Sequence, residues 1–186
     1  MEALETKRLI LRQFKPDDLE DLYEYASDPE VVKFLEFKKY ESLADAKNRI
    51  KDLKEKYLLN DKIGDYAIEL KNEQKVIGSI GIMLRCKEAG GVVSLGWVLN
   101  KKYQGFGYMT ECVKATLKYI KKNKFAMRIQ AAYDVDNVKS GNVMKRVGMT
   151  FEGISRKAGD NNYHSRHDVA NYAILYEEIE DWFFVQ

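Results

Sequence analysis

Two glycines, Gly105 and Gly107, stand between an apolar run that ends at Leu99 and a helical pattern that follows them. Glycine lets the backbone take unusual φ and ψ angles and approach a ligand without a Cβ in the way. The first turn of a helix also presents free N–H groups at the positive end of the helix dipole. The segment therefore predicts a site for an anion such as phosphate, although a simple tight turn would use the same glycines.

The spacing of these glycines disfavours two other nucleotide sites. A dinucleotide-binding turn needs a third glycine three residues after Gly107, where Thr110 stands. A P-loop needs Gly-Lys-Ser or Gly-Lys-Thr, and the chain contains neither. The residues alone thus indicate an anion site and do not identify the anion.

The cysteines and histidines offer little for metal or nucleophilic chemistry. Cys86 and Cys112 have no cysteine at metal-ligand spacing and no neighbouring His–Asp arrangement, so we predict no metal site and no disulfide. We expect Cys112 to pack within a helix. His164 and His167 stand three apart beside Asp168, which would suit a metal or a base, but we interpret them as a solvated loop before the last strand.

Strand and helix patterns alternate along the chain, and these elements must position the glycines. A period of two with turn residues predicts strands over 6–14, 66–70, 76–84, 92–99, 127–133, 149–156 and 168–176. Capping residues and a period near 3.6 predict helices that begin at 16, 28, 42, 108 and 137. Hairpins and strand–helix–strand units both occur, so we predict one α/β domain over residues 1–186 with a mixed central sheet.

Composition limits the possible partners. The 186 residues carry 31 basic and 29 acidic side chains and are 45% hydrophobic, so no overall charge favours nucleic acid or a membrane surface. The N-terminus lacks a signal-peptide pattern, and no apolar run approaches membrane-spanning length. We expect a cytoplasmic protein.

The segment from Gly96 to Glu111 resembles the GNAT superfamily of N-acetyltransferases, in particular its RimJ/RimL-like branch. In that family a Q/R-x-x-G-x-G/A turn cradles acetyl-CoA. Gln104 and Gly107 match it, whereas Met109 stands where glycine or alanine is usual and its side chain could crowd the pyrophosphate. The similarity continues in stretches 6–12, 137–140, 147–149, 151–153 and 168–175.

The resemblance implies a fold and a set of cofactor contacts. It implies a mixed, mostly antiparallel sheet of six to seven strands flanked by helices, with acetyl-CoA and no metal in a cleft between two splayed central strands. The backbone near the end of the first of these strands would pair with pantetheine like an added strand. The implied cofactor-binding residues are Trp97, Val98, Leu99, Gln104, Gly105, Phe106, Gly107, Tyr108, Met109, Thr110, Asn137 and Ser140.

Catalytic roles also follow from the resemblance. We expect the Leu99 N–H to stabilise the oxyanion formed as an amine attacks the acetyl carbon. Asn137 matches a position that contacts pantetheine or the amine, and it also suits a helix N-cap. Ser140 could protonate or orient the leaving thiolate, or as a helical serine only bind a backbone carbonyl.

Two positions depart from the family pattern. Many relatives have a tyrosine proton donor where Met144 stands and some have a glutamate base where Ala132 stands. Tyr133, Asp134 and Glu69 are the candidate substitutes. At pH 7.4 only about one lysine amine in a thousand is neutral, against roughly a quarter of α-amino groups, so the lack of a base favours an α-amino acceptor.

The sequence leaves the acceptor and the assembly open. A protein or peptide N-terminus is the expected acceptor, in a direct transfer within a ternary complex. An antibiotic or polyamine acceptor and an inactive acyl-CoA sensor are the alternatives. Tyr163 and Arg166 are candidates for acceptor specificity, and the protein is expected to be a monomer or a homodimer.

Overall fold

The computed structural model describes residues 1–59, 63–87, 90–160 and 166–179. The strands are β1 (Leu4–Glu5), β2 (Leu9–Arg12), β3 (Asp65–Leu70), β4 (Lys75–Cys86), β5 (Val92–Leu99), β6 (Arg128–Asp134), β7 (Thr150–Asp160) and β8 (Arg166–Leu175). The α-helices are α1 (Leu19–Ala26), α2 (Pro29–Val32), α3 (Leu43–Leu59), α4 (Tyr108–Asn123) and α5 (Val138–Arg146). Single 3₁₀ turns lie at Pro16–Asp18, Lys101–Tyr103 and Tyr176–Glu178.

The strands form one sheet in the order β1-β2-β3-β4-β5-β6-β8-β7. Strands β5 and β6 are parallel, because α4 crosses between them, and every other neighbouring pair is antiparallel. The mixed, mostly antiparallel sheet flanked by helices is therefore confirmed.

The described residues form eight strands, not six to seven. The stretch predicted as one strand over 6–14 contains a turn, and residues before it add β1, which pairs antiparallel with β2. The turn closes at Thr6, whose N–H donates to the Leu9 carbonyl at 3.0 Å and whose hydroxyl accepts the Leu9 N–H at 2.8 Å. A turn closed by a threonine hydroxyl leaves no glycine or proline in the sequence to mark it.

The sheet separates two hydrophobic clusters. Tyr66, Ile68 and Leu70 of β3 alternate, as predicted, and point to the face covered by α4 and α5, while Ala67 points to the face covered by α1 and α3. Cys112 lies in the first cluster with no exposure, which confirms its packing role. None of the helices in the described ranges is long and apolar enough to cross a membrane.

Candidate active site

Strands β5 and β6 separate part-way along their length. They pair over only three residues each, from Val92 opposite Arg128 to Ser94 opposite Gln130. Beyond this point β5 continues to Leu99 and β6 to its own end without pairing to each other. The sheet is therefore open between its two parallel strands.

The unpaired backbone groups of β5 point into this gap. Strand β5 pairs antiparallel with β4 throughout, and the Asn100 N–H donates to the Ile77 carbonyl at 2.8 Å. Alternate residues of an antiparallel strand bind the neighbouring strand. The register thus turns the N–H and C=O groups of Leu95, Trp97 and Leu99 away from β4 and toward the gap.

A cleft of about 700 Å³ extends from the gap across the face of the sheet that α1 and α3 cover. Gly81 and Gly96, opposite each other in the β4–β5 register, line this cleft without side chains. Six of the predicted site residues also line it: Trp97, Val98, Tyr133, Asp134, Asn137 and Ser140. Leu99 and the segment 104–110 do not line it and follow along the chain at the end of β5.

The glycine segment has the conformation that an anion site needs. Gly105 and Gly107 have φ angles of +90° and +81°, in the left-handed region, and Gly107 is the N-cap of α4. Among the described residues, none of the six N–H groups from Gly105 to Thr110 makes a hydrogen bond to a backbone carbonyl. The first backbone bond of this helical turn is the Glu111 N–H to the Gly107 carbonyl, at 3.1 Å.

Met109 does not crowd this segment. Its side chain is only 6% exposed and packs in the hydrophobic cluster under α4. The second position of the helix faces the core here, so a large side chain is accommodated where relatives have a small one. The Met109 amide keeps its place in the row of free N–H groups.

Arg8 lies beside the same segment, and sequence reasoning gave it no role. Its Nη1 donates to the Phe106 carbonyl at 3.0 Å, its Nε donates to Glu111 at 2.7 Å, and its guanidinium lies 4.4 Å from the centre of the Tyr108 ring. Burial raises the pKa of Glu111, but hydrogen bonds from Thr6 and Arg8 outweigh it and lower that pKa below its ordinary value. The Arg8 guanidinium thus places a positive charge beside the row of free backbone amides, which favours binding of an anion such as phosphate.

Gln104 connects the glycine segment to its neighbours. Its side-chain NH₂ donates to the Leu99 carbonyl at 3.0 Å, and its side-chain oxygen accepts from Lys139 of α5 at 2.8 Å. Gln104 thereby fixes the end of β5 against the start of α5.

Residues 8–150 match the acetyltransferase (GNAT) domain family. The chain is a GNAT acetyltransferase. It is 34% identical over 173 residues to the uncharacterized N-acetyltransferase YnaD of Bacillus subtilis, covering 93% of this chain and 96% of that protein. A GNAT-family acetyltransferase from Bacillus anthracis has a crystal structure that is 30% identical, with a TM-score of 0.81, covering 95% of this chain and 100% of that one.

A more distant relative carries a named substrate. The chain is 28% identical over 85 residues to the ribosomal-protein uS5 alanine N-acetyltransferase of Escherichia coli. This match covers 46% of the chain and 44% of that enzyme. The family and the N-acetyltransferase activity follow from these comparisons, and the RimJ/RimL-like branch agrees with them.

Ser140 and Asn137 of the acetyltransferase both have free side chains at the start of α5. Asn137 occupies the N-cap, but its side chain makes no capping hydrogen bond. The Ser140 hydroxyl has no hydrogen-bond partner within the described ranges, so it does not bind a helix carbonyl. Both side chains line the cleft and are available to a ligand.

Tyr133 reaches the cleft from beneath α5. Its ring packs 6.0 Å from that of Tyr172, and a Cβ on Gly141 would come within 2.5 Å of its hydroxyl oxygen. Burial and the neighbouring Tyr172 raise the pKa of Tyr133, so its phenol is protonated at neutral pH. It can donate a proton but cannot serve as a base.

The two carboxylates that remain as candidate bases lie in different places. Glu69 lies outside the cleft lining and is bound by Arg12, which also makes two hydrogen bonds to Asp18, at 2.7 and 2.8 Å. Asp134 lines the cleft at the end of β6 and is 7% exposed. Ala132, on the same face of β6, also lines the cleft.

The prediction of a solvated loop around His167 is wrong. His167 lies within β8, with a side chain only 17% exposed, and its Nδ1 is 3.6 Å from the Asp134 carboxylate. His164 and Tyr163 fall outside the described residues, and Arg166 is the exposed first residue of β8. No cluster of three or more His, Cys, Asp or Glu side chains suited to a metal occurs in the described ranges.

Proposed function

We propose that this enzyme transfers the acetyl group of acetyl-CoA to the α-amino group of a protein or peptide N-terminus. The observation that carries the proposal is the gap between β5 and β6, which opens directly into the cleft of about 700 Å³. The relative that acts on the alanine of ribosomal protein uS5 supports an N-terminal acceptor.

The described residues fit acetyl-CoA at two places. The free N–H groups of residues 105–110, with Arg8 beside them, suit the pyrophosphate, because oriented amides and a guanidinium are strong phosphate donors. The outward N–H and C=O groups of Trp97 suit the amides of pantetheine, whereas the Leu99 carbonyl is already bound by Gln104. Bound acetyl-CoA supplies the reactive thioester, and the chain supplies position and charge stabilisation.

Leu99 and Ser140 would act on the two charges that develop. The Leu99 N–H faces the gap and would donate to the thioester oxygen as it becomes negative. The free hydroxyl of Ser140 would protonate the departing thiolate. Replacing Ser140 with alanine should lower kcat about ten-fold or more while the Kd of acetyl-CoA changes little. An unchanged kcat would contradict this role of Ser140. Tyr133 would then be the remaining candidate proton donor, which Tyr133→Phe tests in parallel.

The acceptor is tested by free-thiol release from acetyl-CoA with a panel of N-terminal peptides, lysine-containing peptides with a blocked N-terminus, polyamines and aminoglycosides. We expect turnover with peptides that have a free α-amino group and little with blocked ones. Exclusive activity on lysine side chains, polyamines or aminoglycosides would contradict the proposed acceptor. Tight acetyl-CoA binding without turnover of any amine would favour the sensor.

A further inference from the structure

We propose that Asp134, backed by His167, accepts the proton of the attacking amine. This inference rests on the proposed function. It concerns removal of the proton from the acceptor amine. Some relatives use a glutamate for this step, whereas Ala132 at that position has no group that can accept a proton. Asp134 is two residues further along β6, so both side chains point to the same face of the sheet. Both line the cleft.

The surroundings of Asp134 leave one carboxylate oxygen available. Its Oδ1 accepts the Asp136 N–H at 3.0 Å, which orients the carboxylate. Its Oδ2 faces His167 Nδ1 at 3.6 Å. With 5% side-chain exposure and no lysine or arginine paired to it in the described ranges, this carboxylate is suited to meet a cationic ligand.

His167 is held beside this carboxylate by the strand register. Asp134 pairs with Val169, and His167 is two residues from Val169 on the same face, which makes it the diagonal neighbour of Asp134. Its opposite partner in β7 is Gly159, where a Cβ would lie 2.0 Å from His167 Nε2. The imidazole thus occupies the space into which the Cβ of any non-glycine residue at position 159 would project.

His167 Nδ1 is buried and makes no hydrogen bond within the described chain. A buried polar atom without a partner is energetically unfavourable, so such atoms call for an explanation. The lone pair of an imidazole nitrogen can accept a proton, which suits a nitrogen placed behind the carboxylate that meets the amine.

The other charged groups near the pair are engaged elsewhere or turned away. Lys157 of β7 donates its N–H to Asp168 at 2.9 Å and its ammonium to the Arg166 carbonyl at 3.4 Å. Asp168 and Arg166 flank His167 and point to the opposite face of β8. Asp136 and Asp160 are exposed. In the described ranges, Asp134 is the one carboxylate within ion-pair distance of His167.

The acceptor enters as an ammonium. One of its N–H bonds breaks, and the proton passes to Asp134 Oδ2 and on to the lone pair of His167 Nδ1. The electron pair left on nitrogen forms the new C–N bond to the acetyl carbon. The C–S bond breaks, its electron pair leaves on the CoA sulfur, and Ser140 gives that sulfur a proton. A second proton leaves the nitrogen as it becomes the amide and restores the Ser140 hydroxyl. Asp134 contacts the amine and is catalytic, whereas His167 acts through it and is a positioning residue.

The pH dependence of kcat/KM tests the pair, with the peptide acceptors of the panel and acetyl-CoA. Asp134→Asn should lower kcat/KM at pH 7 by about 100-fold, and His167→Gln by roughly ten-fold. Gly159→Ala should resemble His167→Gln, because the new Cβ displaces the imidazole without changing it. Each loss should shrink above about pH 9, where an α-amino group with a pKa of about 7.7–8.0 is already neutral. A purely structural role would not restore activity in this way.

Asp160→Asn is the matched control, since it removes an exposed carboxylate next to Gly159 and should retain wild-type kcat/KM. The Kd of acetyl-CoA should stay within about two-fold in all four variants, which reports intact folding. Wild-type kcat/KM and an unchanged pH profile in His167→Gln and Gly159→Ala would contradict the proposed role of the Asp134–His167 pair and leave the proposed function standing. A wild-type enzyme that acetylates no amine would overturn the pair and the proposed function together.

Discussion

Gly105 and Gly148 have similar positive φ angles at different places in the fold. Their φ angles are +90° and +80°, and a Cβ on either would have no neighbour within 4 Å. Gly148 follows α5, whereas Gly105 begins the row of free amides. Alanine substitutions at the two positions therefore distinguish the effect of backbone strain, which both share, from the loss of ligand contact, which we expect only at Gly105.

Replacing Gly105 with alanine should weaken acetyl-CoA binding roughly ten-fold, the equivalent of one charge-assisted hydrogen bond. Both Gly105→Ala and Gly148→Ala should lose about 1–2 kcal/mol of unfolding free energy, because an L-residue is strained at positive φ. Calorimetric titration and urea unfolding measure the two effects. Equal acetyl-CoA affinity in the two variants would show that the glycine segment does not hold the cofactor.

Arg8 predicts a salt-dependent contribution to cofactor affinity. Arg8→Gln should raise the Kd of acetyl-CoA about three- to ten-fold at low ionic strength and less at 0.5 M salt, since screening weakens a partly exposed charge. Lys7→Gln is the control, because it removes a neighbouring exposed charge that makes no ion pair in the described chain. If both variants changed the Kd of acetyl-CoA by the same small factor, Arg8 would have only a structural role as the partner of Glu111.

At the scale of elements, Glu24 fixes α1 to the start of the cofactor segment. Its carboxylate accepts from Lys102 at 2.8 Å, Lys75 at 2.6 Å and Asn100 at 3.2 Å. Asn100 in turn caps the 3₁₀ turn after β5 by accepting the Lys102 N–H at 3.0 Å. The hydrogen bond from Lys102, and then that from Lys75, lower the pKa of Glu24 to about 2.

This shift predicts acid-sensitive stability. The Glu24 pKa is lower in the folded protein than its ordinary 4.5, so its stabilisation is complete above about pH 4.5 and is lost as the pH falls toward 2. Glu24→Gln should lower the unfolding free energy by about 1 kcal/mol at pH 7, after allowance for solvent screening, and by almost nothing near pH 2. Urea unfolding at pH 7, 4 and 2.5 measures this.

Glu20→Gln is the control for Glu24, because Glu20 is an exposed residue of the same helix with no ion pair in the described ranges. Its unfolding free energy should follow that of the wild type at every pH. A Glu24→Gln variant with the same acid dependence as the wild type would contradict the role of Glu24.

The elements were predictable where local periodicity determines them. The alternation in β3 and the apolar face of α4 appear in the sequence, and β5 has the predicted bounds, Val92–Leu99. Strand pairing was not predictable in the same way. The separation of β5 from β6 was inferred from family resemblance, because it depends on which residues of two distant strands share hydrogen bonds.

The site was less predictable than the strands for the same reason. The sequence predicts a solvated loop at His167, yet His167 lies in β8, where packing on Gly159 of the neighbouring strand leaves its side chain only 17% exposed. Arg8 and Phe106 are 98 positions apart and meet only through the fold. Glu69 was a plausible base until its ion pair with Arg12 placed it outside the cleft.

At the scale of the whole molecule, one sheet supports both halves of the site. The cluster under α4 and α5 carries the cofactor segment, while the cluster under α1 and α3 borders the cleft. Both clusters pack on the same strands. We therefore propose that residues 1–186 form a single domain, in which the gap between β5 and β6 connects cofactor and acceptor sides.

Arg12 links the sheet to the helical layer. It extends from β2 to Glu69 on β3 and to Asp18 just before α1, and the three side chains are 12%, 15% and 6% exposed. Hydrogen bonding to Asp18 is the largest cause that raises the pKa of Arg12. Its charge is therefore present at every accessible pH, and it pairs with two carboxylates of low exposure at once.

Arg12→Ala should cost about 3–5 kcal/mol of unfolding free energy at pH 7, because it leaves both carboxylates buried without a cation. Lys71→Ala, which breaks a more exposed pair with Glu5, should cost less than about 1 kcal/mol. Urea unfolding at pH 7 measures both losses. A loss in Arg12→Ala as small as that in Lys71→Ala would contradict the argument that Asp18 and Glu69, with their low exposure, depend on this cation.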